Sequence, residues 1–223
     1  MGIGIRKKYE FTGKTKVITQ SNESHTLHQI KALKDFRDIK AGYLGGWIEK
    51  EENLSQEGDC WVYSNAMVFG NAKVCRNALI YDYATVYGNA EVSDYAEVYG
   101  NAAEVYGNAH VSATAKVYDG AVITGTAKVY DNARVYGGTW VSDDAQVYGN
   151  AQVYDGAVVR DTAKVYDDAE VYGDAMVYDE AVVRGNAQVY DEAIVRGNAV
   201  VTDNAVVCGK VEIFDDCHNT KKG

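Results

Sequence analysis

Proline is absent from the 223 residues, and cysteine, histidine, methionine and tryptophan are scarce, at four, four, three and three. Proline cannot take positive φ, so its absence removes one obstacle to corners that use that conformation. Four cysteines do not make a disulfide framework. Cys60 and Cys217 stand at opposite ends of the repetitive part of the chain, and Cys75 and Cys208 are also far apart, beyond bridging distance. No two cysteines have zinc-knuckle spacing, so they read as reduced thiols in a reducing compartment, and neither a metal nor a cofactor is implied. No apolar run is long enough to span a membrane, and Met1-Gly2-Ile3-Gly4-Ile5-Arg6 lacks the hydroxyl residue of a myristoylation signal. The expected location is the cytoplasm, the host cytoplasm if the chain is phage-encoded.

Charge is uneven. Residues 1–50 hold ten Lys and Arg against five Asp and Glu, and the remainder twelve against twenty-seven, about +5 and −15. The body should repel bulk nucleic acid, while the head is suited to an acidic partner.

What the chain has in abundance is one hexad. Twenty-six units close to Val-Tyr-Gly/Asp-Asn/Asp-Ala-x run from Val62 to Ile213, each with an aliphatic and, four places on, usually a small residue, as in Val62 to Ala66 and Val165 to Ala169. A period of six suits neither a 3.6-residue helix nor a hairpin, but it suits a short strand followed by a corner. Gly, Asn and Asp tolerate the positive φ that such a corner uses. Three strands and corners close one coil of eighteen residues. Stacking coils about 4.8 Å apart gives nearly nine coils, roughly 40 Å of prism, around a column of Val and Ala.

This spacing resembles the hexapeptide repeat of left-handed parallel β-helix proteins, and the hand is implied by that resemblance alone. A second resemblance covers the head: Lys40-Ala41-Gly42, Gly45-Gly46-Trp47-Ile48, Leu54-Ser55-Gln56 and Gly58-Asp59-Cys60-Trp61 look like the start of a group of bacterial and prophage hexapeptide-repeat proteins. Members of that group are often labelled acyltransferases, largely because of the repeat. The expected organisation is a head over residues 1–58, an all-β prism over 59–214 and a tail over 215–223. Residues 28–36 read as a strand or a short helix, and Trp47, Ile48 and Leu54 as covering the first open coil.

A period of eighteen sorts the outward residues onto three walls, provided that one extra residue near Ala102 and Ala103 is absorbed at a corner. The third wall then carries Tyr63, Tyr81, Tyr99, Tyr118, Tyr136, Tyr154, Tyr172 and Tyr190, ending at Cys208. The second carries Cys75, Ser93, Ser112, Tyr130, Tyr148, Tyr166, Arg184 and Thr202, and the first has Arg160, Tyr178 and Arg196 among its members. Just before the aliphatics of the first wall lies an apolar strip, Val122, Trp140, Val158, Met176 and Ile194, of a kind that monomers rarely expose. It is the candidate subunit interface, and the hexapeptide-repeat resemblance implies a homotrimer.

The tyrosine ladder has two readings. Stacked aromatics at one sheet position stabilise neighbouring strands and are copied by duplication. Alternatively, Tyr130, Tyr148, Tyr166 and Tyr178 beside Arg160, Arg184, Arg196, Lys128 and Lys164 hold a small anionic, nucleotide-like ligand at clefts between subunits. Hexapeptide acyltransferases, by resemblance, use a histidine base; within the coils only His110 is available, beside Glu91, Ser93, Ser112 and Lys128, with no loop insertion. His25, His28 and His218 form no evident constellation. The three-histidine metal site of the carbonic anhydrase branch cannot be built from one coil histidine. Thr124, Thr139 and Thr202 form no ice-binding array. The favoured reading is a non-catalytic oligomeric binding protein, with an acyltransferase using His110, a structural rod and an acidic DNA mimic as alternatives.

Overall fold

The structure, a computed structural model, describes residues 7–214. The expectations for Met1–Arg6, Cys217, His218 and the tail lie outside the described residues. Each hexad makes one strand of two or three residues, from Trp61–Val62 to Glu212–Phe214. The first residue of each points outward and the second inward, which buries the Val and Ala columns completely for most of their length. The result is a three-sided parallel β-solenoid of about nine turns, the class that the repeat predicts.

Main-chain hydrogen bonds between coils carry the stacking. In the first hexads Met67 N donates to Ala84 O at 3.0 Å, Phe69 N to Val86 O at 3.1 Å and Asn71 N to Gly88 O at 2.7 Å. The same three bonds recur up the walls. Among the hexads from Val62 onward, strand partners are eighteen residues apart except across one turn, where Thr85, Glu91 and Glu97 pair with Glu104, His110 and Lys116. The extra residue sits at the corner Gly100-Asn101-Ala102, where both Gly100 and Ala102 take positive φ and Ala103 returns to the core. The three walls keep their expected membership on both sides of it. Where the small-residue column carries Thr139, the buried hydroxyl donates to Tyr136 O at 2.6 Å.

Corner chemistry accounts for much of the body's acidity. Asp82, Asp94, Asp119, Asp131, Asp143, Asp155, Asp161, Asp167, Asp179, Asp191 and Asp203 all sit at positive φ, the left-handed conformation Asp accepts more readily than most residues. Their carboxylates reach the next turn: Asp82 Oδ2 accepts from Gly100 N at 3.1 Å, Asp167 Oδ2 from Gly185 N at 3.2 Å and Asp179 Oδ2 from Gly197 N at 3.0 Å. These bonds satisfy corner N–H groups that the strand ladder leaves over.

The head joins the same architecture edge to edge. A hairpin of β1 (Tyr9–Gln20) and β2 (Glu23–Ala32) turns at Ser21 and Asn22, both at positive φ, as a two-residue hairpin turn requires. β2 pairs antiparallel with β3 (Leu44–Ile48), and β3 pairs parallel with Met67–Val68, so the first wall continues into a twelve-stranded sheet. Residues 28–32 are therefore strand. Trp47, Ile48 and Leu54 do not lie over the first coil; they help to form it. Ile48 pairs with Val68 and Leu54 bridges Val74, extending the interior columns by one turn because both carry the aliphatic that the hexad places there. The open end is plugged instead by Tyr9, Ile30 and Ile39, with Phe36 packed against them, and by a fully buried Lys8. Lys8 Nζ donates to the carbonyls of Gly58 at 3.2 Å and Cys60 at 3.0 Å, and burial holds its pKa below the usual lysine range.

Glycine is needed most where corners touch. At Gly58 (φ +66°) an added Cβ would run into the Arg76 carbonyl one turn up, whereas at Gly138 (φ +72°) nothing lies within 4 Å. Gly138→Ala should cost about 1–2 kcal/mol for the left-handed backbone alone. Gly58→Ala should cost roughly 3 kcal/mol or more, and the two denaturant midpoints, compared with that of the parent protein, check the difference.

Candidate functional site

Above Tyr63 the third-wall ladder is a continuous stack. From Tyr81 to Tyr190, seven rings follow one another with centroids 4.7–5.0 Å apart and planes within 3–8°. On the second wall Tyr130, Tyr148 and Tyr166 stack in the same way, at 4.8 and 4.7 Å, and on the first wall Phe69, Tyr87 and Tyr106 do so at 5.1 and 4.7 Å. A ring inside such a stack has neighbours on both faces and offers a ligand only its edge and hydroxyl. Tyr148 has no free face; Tyr130 and Tyr166, at the ends of their stack, each have one not covered by a tyrosine. Burial raises the pKa of the ladder phenols from Tyr81 to Tyr172, that of Tyr118 to about 12, so they are neutral hydrogen-bonding groups at physiological pH.

The basic residues divide into two sets. On the first wall, Arg160 pairs with Asp161 at 2.9 Å and lies over the Tyr178 ring at 4.4 Å, while Arg196 pairs with Glu212 and covers Phe214 at 5.1 Å. Both guanidinium groups are engaged. On the second wall, Lys128, Lys164 and Arg184 are exposed and have no ion pair among the described residues. Lys128, Gln146 and Lys164 are successive partners in one column. Tyr130, Tyr148 and Tyr166 form the adjacent column, with Arg184 next in line. The second wall thus gathers Lys128, Lys164, Arg184 and three of the four candidate tyrosines, whereas Arg160, Arg196 and Tyr178 belong to a separate cluster around the first-wall corner.

His110 stands on the second wall between Glu91 and Lys128, exposed, and its ring makes no hydrogen bond among the described residues. A general base needs a partner that fixes its tautomer, and Glu91 does not provide one there. The head provides that arrangement elsewhere. His25 Nδ1 lies 2.9 Å from Glu49 Oε1, and Glu49 Oε2 accepts from Gly70 N at 2.7 Å. The imidazole also packs on Phe69, 4.7 Å between centroids and tilted by 45° to that ring. Twenty-four residues separate His25 from Glu49, and only the β2–β3 register, His28 opposite Ile48, brings them together. Sequence spacing alone carries no sign of the pair.

The apolar strip is aligned as the period requires: Val122, Trp140, Val158, Met176 and Ile194 are successive strand partners. Trp140 is 44% and Met176 36% exposed. The strip begins above the part of the first wall that the hairpin reaches, where Lys16 lies over Trp47 at 4.7 Å and Gln20 Nε2 donates to the Tyr87 hydroxyl at 3.0 Å.

Comparison with known proteins bears out the repeat. A family model described as the YdcK β-solenoid repeat matches residues 127–143 and 145–161. A protein of Escherichia coli strain K12 named as an uncharacterized acetyltransferase, YdcK, is 53% identical over 49 residues. That stretch is 22% of this chain and 15% of the relative.

The His25–Glu49 contact makes the hairpin tip sensitive to acid. Burial would raise the Glu49 pKa, but hydrogen bonds from His25 and Gly70 N outweigh it and hold the carboxyl below its usual range. A depressed folded-state pKa contributes stability above the unfolded value and loses it as pH falls through the folded one. The protection of amides around residues 18–28, taken relative to each amide's intrinsic exchange rate at the same pH, should therefore fall as the pH drops below the ordinary carboxylate range, and in Glu49→Gln that change with pH should flatten, as hydrogen exchange would show.

Proposed function

We propose that this chain is a non-catalytic, self-associating β-solenoid that binds a small anionic ligand on its second wall. The observation that carries the reading is the trio Lys128, Lys164 and Arg184, which have no ionic partner among the described residues, in a protein of net charge −10. Cations left unpaired beside so many carboxylates suit an anion supplied from outside. A nucleotide fits the chemistry: its base on the end face of Tyr166, its phosphates on Arg184 and the two lysines. Such a role amounts to sequestering the ligand rather than turning it over.

Self-association rests on the apolar strip. Burying Val122, Trp140, Val158, Met176 and Ile194 against neighbouring copies, in a homotrimer, brings foreign surface to the corner shared by the first and second walls and turns the basic wall into one side of a cleft. Trp140→Glu should convert the assembly to monomers in light scattering at micromolar concentration; an unchanged mass would remove this wall from the interface. An unbiased native mass-spectrometric screen of nucleotides should find a ligand whose affinity falls about 10-fold or more in Arg184→Ala, and a screen without a hit would reject the binding role.

One observation favours a second reading, acyl transfer, namely the 49-residue match to a protein named as an uncharacterized acetyltransferase. The base would be either His110 or the oriented His25. Acyl-coenzyme A turnover abolished by His25→Ala but unaffected by His110→Ala would support the head dyad.

A further inference from the structure

The third-wall ladder breaks at its lower end. Tyr63 occupies the next position in the column, yet its ring is turned 79° to that of Tyr81, with centroids 6.1 Å apart. The cause lies in the head: the Tyr63 hydroxyl donates to Asp38 at 3.1 Å, and Tyr43 packs edge-on against the same ring at 6.3 Å. Tyr81 therefore has a parallel-stacked ring, Tyr99, on one side only, with Tyr63 edge-on as its other neighbour, and both Tyr63 and Tyr81 line a cleft of about 460 Å³. Tyr63, Leu79, Tyr81, Asp82 and Tyr83 line it, together with Ser64 and Asn65, and Tyr83 is 60% exposed.

The geometry points to this cleft as a binding site for a small organic cation of the quaternary-ammonium type. Three tyrosine rings converge on one space, and a ring face attracts a cation through its quadrupole. The chemistry of the phenols strengthens that attraction. Tyr63 donates its proton to Asp38, and Tyr81 donates to Glu97 Oε2 at 3.0 Å, so each oxygen pushes electron density into its ring. Asp82 adds a carboxylate to the lining itself. The nearby cations are turned elsewhere: Arg37 donates to the Asn77 carbonyl at 3.0 Å, and Lys116 pairs with Glu97 at 3.0 Å. Leu79 supplies the apolar contact that methyl groups on nitrogen need and a hydrated ammonium would not use. The site is independent of the basic second wall and stands or falls apart from the anion reading.

Choline and its uncharged isostere 3,3-dimethylbutan-1-ol test the assignment, titrated into the full chain and followed by tyrosine-ring NMR. Choline should move the Tyr63, Tyr81 and Tyr83 signals in a saturable way, with the isostere at least about 10-fold weaker. Tyr83→Ala, which removes an exposed ring, and Asp82→Asn, which keeps a residue suited to positive φ, should each weaken choline binding several-fold. Equal binding of the two probes would make the cleft merely apolar and overturn the proposal. So would an absence of shifts with tens of millimolar choline, binding unchanged in Tyr83→Ala, or a methyl glycoside that moves these rings where choline does not.

Discussion

Everything in this fold depends on the hydrogen bonds between one turn and the next. A strand of two residues has no partner within its own turn, so its N–H groups must find carbonyls about eighteen residues away. The chain can meet that condition turn after turn only if each corner uses the same number of residues and the same left-handed step. This explains the regular positive φ at Gly and Asp, and why one surplus residue at Gly100-Asn101-Ala102 is confined to a corner. It also explains the acidity. An aspartate at the left-handed position both accepts the conformation and receives a backbone N–H from the turn above, so the carboxylates serve the backbone of the solenoid itself.

The same register places like residues over like residues at the strand spacing. For asparagine this is favourable, as in the chains Asn71 to Asn89 to Asn108 and Asn132 to Asn150 to Asp168. For tyrosine it closes the rings against one another. A uniform ladder therefore stabilises the wall while using up the aromatic faces that would otherwise bind something. The pattern changes where repetition fails: Tyr63 turned out of the column, Tyr166 followed by Arg184, and the head folded against Phe69 and Tyr87. Each has a single residue identity or a contact from the head as its cause.

Wall membership was legible in the sequence because it follows from counting, and the apolar strip and the tyrosine column emerged from the same count. Other features depend on contacts that carry no period. The antiparallel β1–β2–β3 arrangement was hidden because Glu23–Ala32 alternates imperfectly and its register is set by the Ser21-Asn22 turn. His25 and Glu49 meet only through that register. The rotation of Tyr63 depends on Asp38, a loop residue 25 positions away, and no repeat-based argument places it there. Burial of Lys8 was equally unreadable, since a lysine in a basic head looks solvated until the carbonyls of Gly58 and Cys60 are found around it.

One end of the twelve-stranded sheet is built against strand addition. β1 is an edge strand of twelve residues, long enough to recruit another strand, yet it is interrupted by an irregularity between Phe11 and Thr15, with Gly13 at positive φ and Lys14 exposed. Bulges and lysines on an edge oppose strand addition, because an incoming backbone meets a broken ladder and a charge that it must desolvate. The face of the same sheet carries no such protection at Val122, Trp140 and Val158. A protein that guards its edge and leaves an aligned apolar strip on its face favours contact through side chains, wall against wall, over growth by added strands. That preference suits a closed assembly, since a face contact between identical copies is completed by rotation, whereas edge addition has no natural end.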